Sequence, residues 1–88
     1  MFYTCILRSE LNNSFYIGST NNIEQRLYFH NHGLVKSTKR YKPWQLIYIE
    51  EYKTLKFARN RELQIKSWKS RKSIESVISK FEKIDDPR

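Results

Sequence analysis

The order of apolar periodicities predicts a small α/β (α+β) domain, with a three-stranded, mostly antiparallel sheet flanked by helices in the order β-β-α-β-α-α. Three observations carry this expectation. Two stretches near the start, Phe2 to Arg8 and the residues around Tyr16, and a third, Trp44 to Tyr52, are rich in aromatic and β-branched residues. The stretches after Asn22, after Thr54 and after Ser70 repeat their apolar residues at helical spacing. With 88 residues there is room for one domain, 1–82, and the polar end, 83–88, is expected to fray.

Each element has its own signals. In the first strand, alternation puts Tyr3, Cys5 and Leu7 on one face and Phe2, Thr4 and Ile6 on the other. Ser9 to Ser14, with Asn12-Asn13 inside it, reads as the turn of a hairpin. The second strand holds Tyr16 and stops near Gly18. Asn21 or Asn22 caps a first helix, and Gly33 suits the left-handed residue after its last turn. On this helix Ile23, Arg26, Leu27 and His30 share one face, and two of these four are not apolar. A basic loop follows, from Lys36 to Pro43.

The third strand is the plainest. Trp44, Leu46, Tyr48 and Glu50 alternate against Gln45, Ile47, Ile49 and Glu51, and apolar residues on both faces predict cover on both sides. Thr54 caps a second helix that ends near Lys66 or Ser67, and a third runs from about Ser70 to Phe81. Within the second helix, Leu55, Ala58, Glu62 and Ile65 form a stripe that one carboxylate interrupts. A charge facing a core needs a cation or a metal beside it. From periodicity alone, Glu62 paired with a surface Lys or Arg at the seam's edge is the simpler reading, and a metal ligand is the alternative.

The charge balance narrows the function. Lys and Arg number 17 against 9 Asp and Glu, a formal net charge of +8, which on so small a domain favours a polyanion and above all nucleic acid. The bland alternative is charge kept for solubility. Cys5, the only cysteine, excludes an internal disulfide framework and a thiolate zinc site, and it fits a reducing, cytoplasmic setting. No apolar run reaches the roughly 18 residues of a membrane span, and no positive charge precedes the first apolar stretch as in a secretory signal. Lys36, Lys39, Arg40 and Lys42, beside Tyr41, are the expected phosphate contacts. Lys66, Lys69, Arg71 and Lys72, beside Trp68, form a second set.

Each candidate taken singly also has a structural reading: Tyr16 as core or rim, Arg26 as an ion-pair member, His30 as an ordinary helix residue. Together, a phenol, a guanidinium, an imidazole and a carboxylate on adjacent elements of a basic domain suit phosphodiester hydrolysis. That reaction needs a water, a group to take its proton, and cations around the transition state. A hard cation held by one carboxylate, keeping several waters, is the usual arrangement at phosphate sites.

These residues also carry a family resemblance. Tyr16-Ile17-Gly18, with Arg26 ten residues after the tyrosine and His30 four later, resembles the GIY-YIG nuclease domain. So do Lys42-Pro43-Trp44-Gln45-Leu46-Ile47-Tyr48 and the block from Ala58 to Trp68, and the likeness runs from roughly Phe2 to Ile78. It looks closest to small stand-alone bacterial members, often called excinuclease-subunit-C-like. The resemblance implies a three-stranded antiparallel sheet with helices and DNA strand cleavage with one divalent metal, Mg²⁺ or Mn²⁺. It further implies a role in DNA repair on branched or damaged DNA. By position it makes Tyr16 the general base, Arg26 the transition-state arginine, His30 the assisting group and Glu62 the metal ligand. The family's first tyrosine falls on Cys5, a thiol where a phenol is expected. Tyr3 shares its face but stands two residues away, about 6.5 Å. Position 5 is expected to open toward solvent, with room for a ring. Two other readings keep the fold: a non-catalytic nucleic-acid-binding module, and a basic adaptor docking on a larger repair or ribosomal assembly.

Overall fold

In the computed structural model the described residues are 1–85, with side chains described to residue 80. The elements are β1 (Phe2–Ser9), β2 (Phe15–Thr20), α1 (Ile23–Asn31), β3 (Trp44–Tyr52), α2 (Leu55–Ser67) and α3 (Arg71–Asp85), with a 3₁₀ turn at Lys39–Tyr41. The sheet is antiparallel in the order β2-β1-β3. The expected fold class and element order are thus observed. The hairpin closes with Asn13 in the left-handed region, and Ser9 and Asn12 bind the turn's backbone N–H groups through their side chains.

The sheet separates two helical layers. Facing α2 and α3 are Ile6, Ile17 and Tyr48, which pack with Ile65, Ile74 and Ile78. The Thr4 hydroxyl on that face donates to the Ala58 carbonyl at 2.7 Å, so α2 lies close against β1. The opposite face carries Cys5, Leu7, Tyr16 and Trp44, and there the Tyr16 ring meets His30 of α1. The predicted division of β1 into Tyr3, Cys5, Leu7 and Phe2, Thr4, Ile6 agrees with this pairing.

The third strand departs from expectation in two ways. Leu7 pairs with Leu46 and Ile6 with Tyr48, so Ile47 is an extra residue in a β-bulge. The bulge reverses the parity: Trp44 and Leu46 lie on the α1 face, whereas Tyr48 and Glu50 lie on the α2 face. Simple alternation would keep all four on one side. β3 is also an edge strand, and Leu46, Ile47 and Ile49 are only half-buried, so the expected cover on both sides is partial.

The helix ends follow their caps. The Asn22 side chain accepts from the Gln25 N–H at 3.0 Å, and Thr54 accepts from Phe57 at 3.3 Å. Gly33 has φ of +71°, as its place after α1 requires. Leu55, assigned to the apolar stripe of α2, is 41% exposed because it sits in the first turn, beyond the sheet contact; Ala58 and Ile65 are buried. α3 extends to Asp85, past the expected end at Phe81 and into residues 83–85 of the expected frayed tail. The rest of that tail, 86–88, lies outside the described residues.

Candidate active site

β2 is an edge strand, and a cavity of about 360 Å³ lies beside it. Tyr16, Gly18, Ser19, Arg26, Arg59, Glu62 and Leu63 line it, so β2, α1 and α2 all contribute. Three sequence-predicted residues, Tyr16, Arg26 and Glu62, meet in this one space.

Tyr16 reaches the cavity by lying along its own strand. A Cβ built on Gly18 would stand 3.0 Å from Tyr16 Cε2 and 3.4 Å from its hydroxyl. The glycine is therefore needed here for space rather than for an unusual backbone angle. Behind the phenol are two rings, with centroids 4.4 Å away for His30 and 6.3 Å for Trp44. Trp44 is fixed in turn by Asn31, which accepts from its backbone N–H at 2.5 Å and donates to its carbonyl at 3.1 Å. The Trp44 indole N–H donates to the Thr38 carbonyl at 3.0 Å, tying down the loop before β3.

His30 is fully buried behind the tyrosine rather than on the cavity wall. Burial, then the charge of Arg26, lowers its pKa from 6.5 to about 4, so it is neutral at physiological pH. Its Nδ1 lies 2.7 Å from Thr38 Oγ1, whose own proton points to the Val35 carbonyl at 3.4 Å. Assigned from this network, the imidazole donates from Nδ1 and keeps a bare lone pair on Nε2. That Nε2 is buried with no hydrogen-bond partner among the described residues. A buried polar atom left unpaired costs about 1–3 kcal/mol.

Ser19 joins the two sides of the site. Its carbonyl accepts from Arg26 Nη2 at 2.8 Å, and its hydroxyl donates to the Glu62 carboxylate. The other Glu62 oxygen accepts from Lys66 Nζ at 2.5 Å, one helical turn on. Burial works to raise the Glu62 pKa. The hydrogen bonds from Lys66 and Ser19, with the charges of Lys66 and Arg59, outweigh it and hold the carboxyl below its ordinary value. Glu62 therefore has the surface-cation partner of the simpler reading and also faces the cavity. Among the described residues no group of three or more His, Cys, Asp or Glu comes together as a metal cage. One ionised carboxylate on an open polar cavity does fit a hard, largely hydrated divalent ion. Lys66, about half-exposed, is free to swing away from it.

Cys5 lies differently from expectation, whereas Tyr3 stands two residues along the same face as expected. Cys5 pairs directly with Gly18 and is 1% exposed, so position 5 is closed rather than open to solvent. Burial raises its thiol pKa, partly offset by Arg26. Tyr3 pairs with Thr20, the β1–β2 register is unbroken, and Tyr3 is not among the cavity's lining residues. The register shift of the sheet lies on the β3 side, between Ile6 and Leu7.

Lys36, Lys39, Arg40 and Lys42 are exposed on the loop after α1, where the 3₁₀ turn interrupts the predicted coil. Lys66, Lys69, Arg71 and Lys72 are exposed too, but Lys66 is engaged by Glu62, and Arg71 pairs with Glu75 and lies 4.2 Å over the Phe15 ring. Sequence reasoning missed Ser19 and Arg59 as cavity residues. Arg59 was legible in principle, since it stands three residues before Glu62 and so on the neighbouring turn. Ser19 was not, because its importance comes from a contact with a residue 43 positions away.

Residues 1–75 match the family model of the GIY-YIG catalytic domain. A UPF0213 protein of Clostridium perfringens is 35% identical over 81 residues, covering 91% of this chain and 86% of its own. Another from Staphylococcus saprophyticus is 37% identical over 65 residues, covering 73% and 79%. Among solved structures, the solution NMR structure of a UPF0213 protein from Bacillus halodurans superposes with a TM-score of 0.57 at 27% identity, covering 90% of this chain and 84% of that one.

Proposed function

The chain belongs to the GIY-YIG catalytic-domain family, and on that premise we propose that it is a metal-dependent DNA endonuclease hydrolysing phosphodiester bonds at the Tyr16–Arg26–Glu62 cavity. The observation that carries the reading is the convergence of a phenol, a guanidinium and a carboxylate from three elements on one open polar space. In this account the Arg26 fork grips a non-bridging phosphate oxygen, its other arm already braced by the Ser19 carbonyl. The Tyr16 phenolic oxygen, after giving its own proton to solvent, takes the proton of the attacking water. His30 is too weak a base to keep a proton at neutral pH, so it positions the phenol through its ring contact. Glu62 would hold a divalent ion, Mg²⁺ or Mn²⁺, which would supply Lewis acidity toward the phosphoryl group when bound. Arg59 adds a second cation at the cavity wall.

Lys36, Lys39, Arg40 and Lys42 bind the phosphate backbone in this account, with Lys69 and Lys72 as further contacts. Branched or damaged DNA, a place in repair, and a cytoplasmic setting belong to the same proposal. No helix among the described residues is long and apolar enough to cross a membrane.

One observation favours a second reading. The buried Cys5 at the position of the family's first tyrosine removes one phenol from the site, which suits a nucleic-acid-binding module on the same fold. A nicking assay on supercoiled, branched and single-stranded DNA, with Mg²⁺, Mn²⁺ or EDTA, separates the two. Metal-dependent cleavage is the expected result, and binding without cleavage under every metal condition contradicts the endonuclease reading.

A further inference from the structure

Helix α1 turns one face toward the sheet, and its outer face is aromatic. Tyr28 and His32 stack there with ring centroids 3.8 Å apart at 19°, the imidazole Nδ1 lying 2.9 Å from the Tyr28 carbonyl. Phe29 meets Tyr28 edge-on at 6.3 Å. Tyr28 is 53% exposed and Phe29 38%, although both rings gain free energy by leaving water. An aromatic pair one turn apart steadies a helix by a few tenths of a kcal/mol. That accounts for Tyr28 and His32 but not for the third exposed ring.

Cations stand at both ends of this strip. Arg26, one turn before Phe29, enters the cavity. At the far end the loop folds back on Gly33, and the Lys42 ammonium and Lys39 Cβ lie 3.5 and 3.8 Å from where a Gly33 Cβ would be. From Arg26 to its last residue, Asn31, the helix rises about 7.5 Å, room for roughly two stacked bases at about 3.4 Å each. We propose that the outer face of α1 is a stacking platform for unpaired nucleobases. The substrate of the proposed cavity is then DNA with a single-stranded segment, its phosphates held by Arg26 at one end and by Lys39 and Lys42 at the other. In a duplex, base faces are covered by their neighbours, so flat exposed rings add affinity only for bases that have left the stack.

This inference rests on the endonuclease reading for its substrate, but its test does not depend on cleavage. Anisotropy of labelled short oligothymidylate and of a duplex of equal length, in EDTA at fixed salt, is measured for the full chain and for Tyr28→Ala and Tyr28→Phe. Tyr28→Ala should weaken single-strand binding by about fivefold or more. Its salt dependence, duplex affinity and thermal melt should stay unchanged, and Tyr28→Phe should bind like the parent. Unchanged single-strand affinity, or equal losses for both DNAs, overturns the platform. If the parent binds and nicks only duplex DNA, the platform falls and the endonuclease stands. If the expected selective loss is seen but no DNA is cut with any metal, the platform stands and the endonuclease falls.

Discussion

Burying His30 in its neutral form makes the site's stability depend on pH in a predictable direction. In the folded chain its pKa is about 4, against an ordinary value of 6.5. Between these limits the unfolded chain binds a proton that the folded chain refuses, so stability falls as pH drops below about 6.5 and is fully present above it. At about 1.4 kcal/mol per pH unit the full penalty is roughly 3 kcal/mol, of which about 2 kcal/mol has appeared by pH 5. Glu50 and Glu62 have pKa values lowered from 4.5, so their contributions are lost only at still lower pH and leave this window clear. The assay is urea unfolding at a series of pH values for the parent and for His30→Gln, which cannot protonate. The parent should lose stability from pH 6.5 to 5 while the variant's curve is nearly flat. Parallel curves would show that His30 is not held neutral, and the tautomer assignment would fall with it.

Other substitutions test the site's construction. Gly18→Ala places a methyl 3.0 Å from the Tyr16 ring and must displace it, so single-turnover cleavage should fall about 10- to 100-fold with DNA affinity intact; an unchanged rate means the ring position does not matter. Cys5→Tyr adds a ring at a position 1% exposed and should lower stability by about 1–3 kcal/mol or more without a gain in rate, as matched thermal melts and cleavage assays will read. A faster enzyme with an unchanged melt would instead show a vacancy beside Gly18. Replacing Lys39 and Lys42 by Gln should lower duplex affinity and reduce the log–log salt slope by about 0.9 for each phosphate no longer neutralised, whereas an unchanged slope removes them from the interface.

Much of this architecture was legible because single residues fix element ends. Asn22, Gly33 and Thr54 mark helix boundaries through caps and one left-handed angle, and each acts locally. Glu62 was visible as a charge inside an apolar stripe. What escaped depends on geometry across elements. The extra residue Ile47 leaves the composition of β3 unchanged, so period-2 reasoning carried Trp44 and Leu46 onto the wrong side relative to Tyr48. The closure of position 5 follows from β1 being the central strand, which sequence order does not reveal. The Asn31–Trp44 clamp joins the first helix to the third strand and the Thr38–His30 bond joins that helix to the basic loop, contacts between segments that sequence reading treated separately.

The Glu50 network makes the same point from the other side. Glu50 reads as a strand-end carboxylate, yet it accepts from Tyr48, Tyr52 and Arg61 together. Burial and then the bond to Glu50 push the Tyr52 phenol up to about 12. Satisfied by its neighbours, this cluster fastens β3 to α2 and is not one of the cavity's walls.

The most direct test of the endonuclease account is single-turnover cleavage by Glu62→Gln, with DNA affinity measured on the same preparation. The substitution keeps the shape of the side chain and its acceptor toward Ser19 while removing the charge that would hold a divalent ion. The account predicts metal-dependent cleavage in the parent, loss of cleavage in the variant, and a largely unchanged melt and DNA affinity. A Glu62→Gln protein that cuts as fast as the parent, with the same response to Mg²⁺ and Mn²⁺, would contradict it.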